Sequence, residues 1–335
     1  MSKNGKPKFA MYWGSSCGGC EIAVLNIHEK ILDVDANFEV VFWPVAMDAK
    51  YKDVEAMEDG SILLTLFNGG IRTAENEHLA KLLRKKSVVM VAFGSCAHEG
   101  GIPGLANFTS RESLFNIVYD SPSTDNPDGI RPAYDYEMPE GTIHIPEFYR
   151  VLKPLDHVVD VEYYMPGCPP ESHQIAAVIH LVIQEVNGQA ELPPKGSVIG
   201  AGISTVCDEC PRKRDVKHIS SFGRIQGGLY DPEICLLEQG ILCNGPATRD
   251  GCGALCPQAN AACIGCYGPA ADVDDYGARM LTALASVIDS NDPDEVEKIL
   301  DGIVDPAGSF YRFGLPNSML RASKAAWNGN TNGGD

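Results

Sequence analysis

The chain has 335 residues, 44% of them hydrophobic, and a formal net charge of -18. That length and composition can bury a proper core and allow two domains, while the acidic excess excludes a nucleic-acid face, which needs a basic patch to neutralise phosphates, and an anionic membrane surface. No window of about 18 apolar residues reads as a transmembrane helix, and the start MSKNGKPKFAMYWG enters a run too short for a signal peptide and without a twin-arginine pair, so a cytoplasmic protein is expected.

Taken in chain order, buried strands are predicted over 8–14 (KFAMYWG), 39–45 (EVVFWPV), 61–67 (SILLTLF), 88–95 (VVMVAFGS) and 159–165 (VDVEYYM), each short, β-branched or aromatic, and bounded by Gly or Pro. Helical patterns fall at 20–32, 73–86 and 171–187. Strand and helix alternating in this way imply an α/β fold with a doubly wound parallel sheet. The stretch 119–146, rich in Pro, Asp and Gly, interrupts the rhythm as a surface excursion, because the sheet pattern resumes after it. Pro193 and Pro194 mark a boundary. Three segments are expected: a sheet domain over 1–192, a cysteine-rich domain over 193–325 and a flexible tail over 326–335. From 195 to about 270 periodic structure is sparse, so this part is expected to lack a large apolar core and to be held by metal sites. Two acidic amphipathic helices follow, near 273–289 and 293–303.

The twelve cysteines stand in three groups of four, the ligand count of a cubane iron-sulfur cluster or a structural zinc. In a chain without an export signal, C-x-x-C pairs are metal or redox sites rather than disulfides. Cys17 and Cys20 follow the first strand, Cys96 the fourth and Cys168 the fifth, and in a parallel sheet the loops after strands emerge at one edge, where ligands of doubly wound folds bind. Gly14, Gly18 and Gly19 allow tight turns whose amides favour an anion such as a cluster of charge about -2. Three such clusters would take the chain from -18 to about -24. The second group, Cys207, Cys210, Cys235 and Cys243, reads C-x2-C-x24-C-x7-C; the third, Cys252, Cys256, Cys263 and Cys266, reads C-x3-C-x6-C-x2-C. Neither is the closely spaced run of a bacterial ferredoxin. Zinc is the competitor at all three, though a structural zinc usually staples two local C-x-x-C pairs, whereas the first group has one pair and draws the rest from a sheet.

Four features together resemble the small, electron-transferring subunit of nickel-iron hydrogenases. They are C-G-G-C after the first strand, G-S-C-A-H-E-G-G-I-P-G at 94–104, P-G-C-P-P at 166–170 and the cysteine-rich C-terminal part. Within that family the chain is most similar to the cytoplasmic, non-deazaflavin-reducing (methyl-viologen-reducing) type. The resemblance implies a flavodoxin-like sheet followed by a mostly irregular iron-sulfur domain, with no nickel in this chain. It implies a proximal cluster on Cys17, Cys20, Cys96 and Cys168, a distal cluster on Cys207, Cys210, Cys235 and Cys243, and a medial cluster on Cys252, Cys256, Cys263 and Cys266. Position 207 is Cys where membrane-linked members usually have His, and Cys256 stands where many have Pro, so three 4Fe-4S clusters are expected. The implied partners are a nickel-iron large subunit and, through a small 2Fe-2S protein, a heterodisulfide reductase complex.

Several residues carry two readings. Glu21, beside Cys20, is a proton relay or a carboxylate favouring a helix start; His98 and Glu99, beside Cys96, bond a cluster or partner, or shape a turn. His28, His78, His173 and His180 lack metal-ligand pairing. Arg212, Lys213 and Arg214, with Lys217 and His218 beyond, form a basic knot after Cys210, either a docking point for an acidic electron acceptor or a solvated loop. No G-x-G-x-x-G opens a strand-helix unit, so flavin or nicotinamide binding is unsupported. The rival functions are the small subunit of a deazaflavin-reducing hydrogenase and a zinc-stabilised scaffold.

Overall fold

The structure, a computed structural model, describes residues 5–215 and 218–320. Nine strands are formed among the described residues: β1 (Lys8–Trp13), β2 (Glu39–Phe42), β3 (Ile62–Asn68), β4 (Ile71–Thr73), β5 (Ser87–Phe93), β6 (Asp135–Met138), β7 (Gly141–His144), β8 (Phe148–Lys153) and β9 (Tyr163–Met165). Five of them build one parallel sheet in the order β2-β1-β3-β5-β9, the flavodoxin-like doubly wound arrangement. Alternate side chains of each strand feed opposite layers. Phe9, Met11, Leu64, Leu66, Val91 and Phe93 pack on one face, with Ile175, Val178, Ile179 and Val182 of the helix Ser172–Val186. Ala10, Tyr12, Phe67 and Ala92 pack on the other, under Leu79, Ala80 and Leu83 of the helix Ala74–Lys86. Both faces are covered, as an all-parallel sheet requires.

The helix Ala74–Lys86 begins where expected because Thr73 caps it: its hydroxyl accepts from the Asn76 amide at 3.2 Å, and Asn76 returns the bond to the Thr73 amide. The pattern over 20–32 is not one helix. It breaks after Leu25 and resumes over Ile31–Asn37, with His28 at a φ of 57° between. Apolar periodicity runs through such a break unchanged, because both pieces bury the same side.

The excursion over 119–146 lies on the surface and carries the β6–β7 hairpin, every residue of which is exposed. β8 returns to pair antiparallel with β4, a two-stranded ribbon without a sequence expectation. Past Pro193 and Pro194 the chain still follows the sheet edge: the Tyr164 amide donates to the Ser197 carbonyl at 3.1 Å, and that of Ile199 to the Tyr164 carbonyl at 2.8 Å.

The cysteine-rich part has a core of its own, which corrects the expectation that metal sites alone would hold it. Val206, Ile219, Leu236, Leu237 and Ile241 pack with Met280, Leu284, Phe310 and Leu315. The segment that looked core-poor supplies the first five, and the helices Tyr276–Ala285 and Pro306–Phe310 beyond it supply Met280, Leu284 and Phe310. The expected tail over 326–335 and Lys217 lie outside the described residues.

Candidate metal centres

The first group forms at the C-terminal edge of the sheet. β1, β5 and β9 are parallel and end at Trp13, Phe93 and Met165, so the loops carrying Cys17 and Cys20, Cys96, and Cys168 leave the same edge. The four thiols sense one another. Burial, and then the charges of Cys96, Cys168 and Cys17, push Cys20 well up; burial, then Cys168 and Cys17, push Cys96 up to about 12. Cys168 is raised by burial and then by Cys17. Bare backbone admits the sulfurs. A Cβ on Gly94, whose φ is 83°, would fall on Cys20 Sγ, and one on Gly101, φ 59°, would meet Cys96 Sγ at 2.6 Å. Gathered, buried thiols can ionise together only if a cationic core offsets their repulsion and desolvation, so this donor set fits an iron-sulfur core.

The second group behaves alike. Cys207 is pushed up to about 12 by burial and by Cys243, opposed by Arg214, with Cys235 and Cys210 adding to the rise. Cys243 is raised by burial against the Gly245 and Cys263 amides. In the third group burial and then Cys243 raise Cys263. Cys266 is pushed up to about 12 by burial and Cys252, with Cys256 and Cys168 contributing. Cys252 is raised by burial, opposed by the Ala254 and Leu255 amides.

Two contacts link the groups. The Cys168 backbone acts on the Cys266 thiol and opposes its rise, and the Cys263 amide donates to Cys243 Sγ at 3.3 Å. Ser95, next to Cys96, also donates its hydroxyl to the Cys266 carbonyl. The third group therefore stands between the first and the second, although it comes last in the chain. Among the described residues no three His, Cys, Asp or Glu side chains gather closely enough to hold one metal ion. Sulfurs spread around a multi-iron cube are wider apart than the roughly 4 Å that bonds of about 2.3 Å to a single zinc impose.

Arg212 is not part of an exposed docking knot. It is 8% exposed, and its guanidinium donates to the carbonyls of Pro257, Asp231 and Ile234, each at 2.9 Å, and to Asn260 Oδ1 at 2.8 Å. A planar fork of five donors suits it to tying several loop carbonyls at once. Lys213 is exposed and pairs with Glu233 at 3.1 Å; Arg214 lies near Cys207. His218 pairs with Asp289 at 3.1 Å.

Glu21 lies in the first turn of the helix Gly19–Leu25, as the helix-start reading has it, and is buried there. One carboxylate oxygen accepts from Trp43 Nε1, the other has no partner, and burial raises its pKa against the Trp43 and Asn68 contacts. His98 packs its ring on Tyr164 at 4.9 Å, its Nδ1 unpartnered, and burial, then Arg249, push it down to about 4. The sequence reading missed Tyr267, whose hydroxyl lies on Gln174 and accepts from the Glu171 amide at 3.0 Å, joining the third group's loop to the helix Ser172–Val186. Its place beside Cys266 was the available signal.

The family profile described as NADH ubiquinone oxidoreductase, 20 Kd subunit, matches residues 17–182. The chain is 44% identical over 324 residues to the iron-sulfur subunit of the F420-non-reducing hydrogenase of Archaeoglobus profundus, covering 93% of this chain and 97% of the relative. The chain belongs to this family of F420-non-reducing hydrogenase iron-sulfur subunits. It is 36% identical over 324 residues to the corresponding F420-non-reducing hydrogenase subunit of Methanothermobacter marburgensis, covering 94% and 96% of the two chains. A chain of the NiFeSe hydrogenase of Desulfovibrio vulgaris Hildenborough shares the fold, at a TM-score of 0.50 and 18% identity over 81% of this chain and 95% of that one. Membership makes this chain an electron-transfer subunit of a hydrogenase, an oxidoreductase whose active site resides in a large-subunit partner, and it implies iron-sulfur clusters here. No helix among the described residues is long and apolar enough to cross a membrane.

Proposed function

We propose that the chain holds three 4Fe-4S clusters and works in the cytoplasm. Cys17, Cys20, Cys96 and Cys168 hold the proximal one, Cys252, Cys256, Cys263 and Cys266 the medial one, and Cys207, Cys210, Cys235 and Cys243 the distal one. Each cluster, when bound, supplies a one-electron carrier. Electrons from hydrogen split at a nickel-iron centre in the large subunit pass along this row to a small 2Fe-2S protein and a heterodisulfide reductase complex.

The observation that carries the reading is the pair of contacts between ligand sets, the Ser95 hydroxyl beside Cys96 on the Cys266 carbonyl and the Cys263 amide on Cys243 Sγ. Such direct links between neighbouring ligand sets support consecutive carriers lying close together. The burial of Cys20, Cys96, Cys243 and Cys263 keeps water from the inner sulfurs, while Cys17 is exposed at the outer end. Beside Cys17, Trp13 is 42% exposed and the following helix exposes Ile22 and Leu25, apolar surface suited to cover by the large subunit. At the far end, the exposed Lys213, paired with Glu233, and the exposed Arg214 would guide an acidic acceptor.

Metal analysis of the anaerobically purified complex tests the reading. About 12 irons with matching sulfide in this chain are expected. Iron near 4 with stoichiometric zinc would contradict it, as would hydrogen-driven dye reduction that survives Cys17→Ser.

A further inference from the structure

A cavity of about 340 Å3 lies in the seam between the sheet and the cysteine-rich part. One wall is the helix Ser95–Glu99, which carries Cys96; another is the loop through Gly265 and Pro269, which carries Cys266. Asp156 and the C-terminal stretch from Asp274 to Ser318 complete it.

Glu99 projects into this space. It is 4% exposed, and no donor among the described residues hydrogen-bonds its carboxylate. The carboxylate instead rests on bare backbone: a Cβ on Gly268 would meet its oxygens at 2.5 and 2.6 Å, and one on Gly314 would lie 3.6 Å away. A buried carboxylate with no donor is costly, so the group is poised to become neutral.

The charged and titratable groups around it come from every neighbouring element. His98 lies on its own helix; Asp156 lies across the cavity, accepting from the Tyr164 hydroxyl at 3.2 Å. Asp274, Asp275 and Tyr276 come from the start of the helix Tyr276–Ala285, and Arg312 from the C-terminal stretch. Asp275 is already occupied by the amides of Ala278 and Met319 and the Tyr311 hydroxyl. Arg249, the cation that acts on Glu99, donates to the carbonyls of Pro269 and Gly202 rather than to the carboxylate. Burial pushes the Glu99 carboxyl up to about 7 against the pull of Arg249, with Asp156 adding to the rise. An electron arriving beside Cys96 or Cys266 adds negative charge in a low-dielectric seam, which favours the neutral acid further.

We propose that Glu99 is a redox-linked proton acceptor: for each electron that rests on the first or third cysteine group, one proton from solvent crosses the seam cavity and binds the Glu99 carboxylate. The electron comes from hydrogen oxidised in the partner. When it moves on, the acid returns its proton through the same cavity, so charge and protons balance at both steps. This inference rests on the cluster ligation proposed above.

Redox titrations of the whole hydrogenase complex, followed by electron paramagnetic resonance between about pH 6 and about pH 8.5, test it. In the wild type the midpoint of one cluster should fall above about pH 7, by up to about 59 mV for each tenfold drop in proton concentration, one proton per electron. Glu99→Gln should flatten that slope and Glu99→Asp should keep it. An infrared difference spectrum of the wild type should show a carboxylic-acid band gained on reduction, whether or not the variants assemble. Overturning results are a pH-independent wild type, an absent acid band, an equal slope in an iron-replete Glu99→Gln complex, or a midpoint that follows potassium or magnesium concentration instead of pH. The last three with full iron leave the ligation standing, whereas zinc in place of iron removes the ligation itself.

Discussion

Replacing Arg212 by Ala separates a structural tie from a docking charge. The guanidinium bonds Pro257, which follows Cys256; Ile234, which precedes Cys235; Asp231; and Asn260, between Cys256 and Cys263. The variant leaves four acceptors without this donor in a region that Arg212 itself fills at 8% exposure. Hydrogen bonds to a charged group are worth about 1.5–3 kcal/mol each. They are not additive within one side chain, so about 3–5 kcal/mol is expected for the set. That corresponds to roughly a hundred- to several-thousand-fold more local opening, at about 1.4 kcal/mol per factor of ten. Because the loops released hold the second and third groups and not the first, iron in the anaerobic complex should fall from about 12 toward about 4. Chelator-accessible iron, followed over time, reads this directly. Arg212→Lys, with one donor centre in place of the fork, should fall between. Wild-type iron and release rate in Arg212→Ala, with only the salt dependence of electron transfer altered, would refute the reasoning and return Arg212 to the surface.

Lys213→Ala with Arg214→Ala should slow transfer to an acidic acceptor at low salt and flatten its salt dependence, leaving reduction of a small neutral dye unchanged; stopped-flow measurements over a salt series check it. Gly94→Ala puts a methyl group on Cys20 Sγ at a φ of 83° and should cost the first cluster its binding, whereas Gly129→Ala, φ 62° in open space, should cost about 1–2 kcal/mol at most and keep all iron. Iron content and dye reduction of the pair decide. Glu162 accepts from the Met90 amide at 2.8 Å and from Arg84, and although burial raises its pKa, these two bring it below the usual value. A carboxyl lowered in the folded state adds stability above its unfolded value and loses it as pH falls through the folded one. Protection against hydrogen exchange at the β5–β9 edge, taken relative to the intrinsic rate at each pH, should therefore fall on acidification, and Glu162→Gln should remove that dependence; an identical acid profile in the variant counts against it.

Much was legible in the sequence because it depends on local chemistry. The β-branched runs at Lys8–Trp13, Ile62–Asn68 and Ser87–Phe93 could only be buried strands, and their alternation with amphipathic helices left few topologies besides the doubly wound sheet. The first cysteine group followed from topology as well, since parallel strands deliver Cys17, Cys20, Cys96 and Cys168 to one edge. Its ligand role remains a proposal, but the convergence was readable. Other features needed the third dimension. Neither spacing nor composition tells that the third group lies between the first and second; that depends on where the Ser95 hydroxyl meets the Cys266 carbonyl and the Cys263 amide meets the Cys243 sulfur. A basic triplet reads as solvated whether or not one member turns inward, and only the carbonyls of Asp231, Ile234 and Pro257 show that Arg212 does. Glu99 is an ordinary letter close to Cys96 until the seam closes over it. Sequence fixes which groups a chain carries and their local geometry, while burial and pairing across distant segments decide which of those groups stay charged, and that is a property of the packed structure.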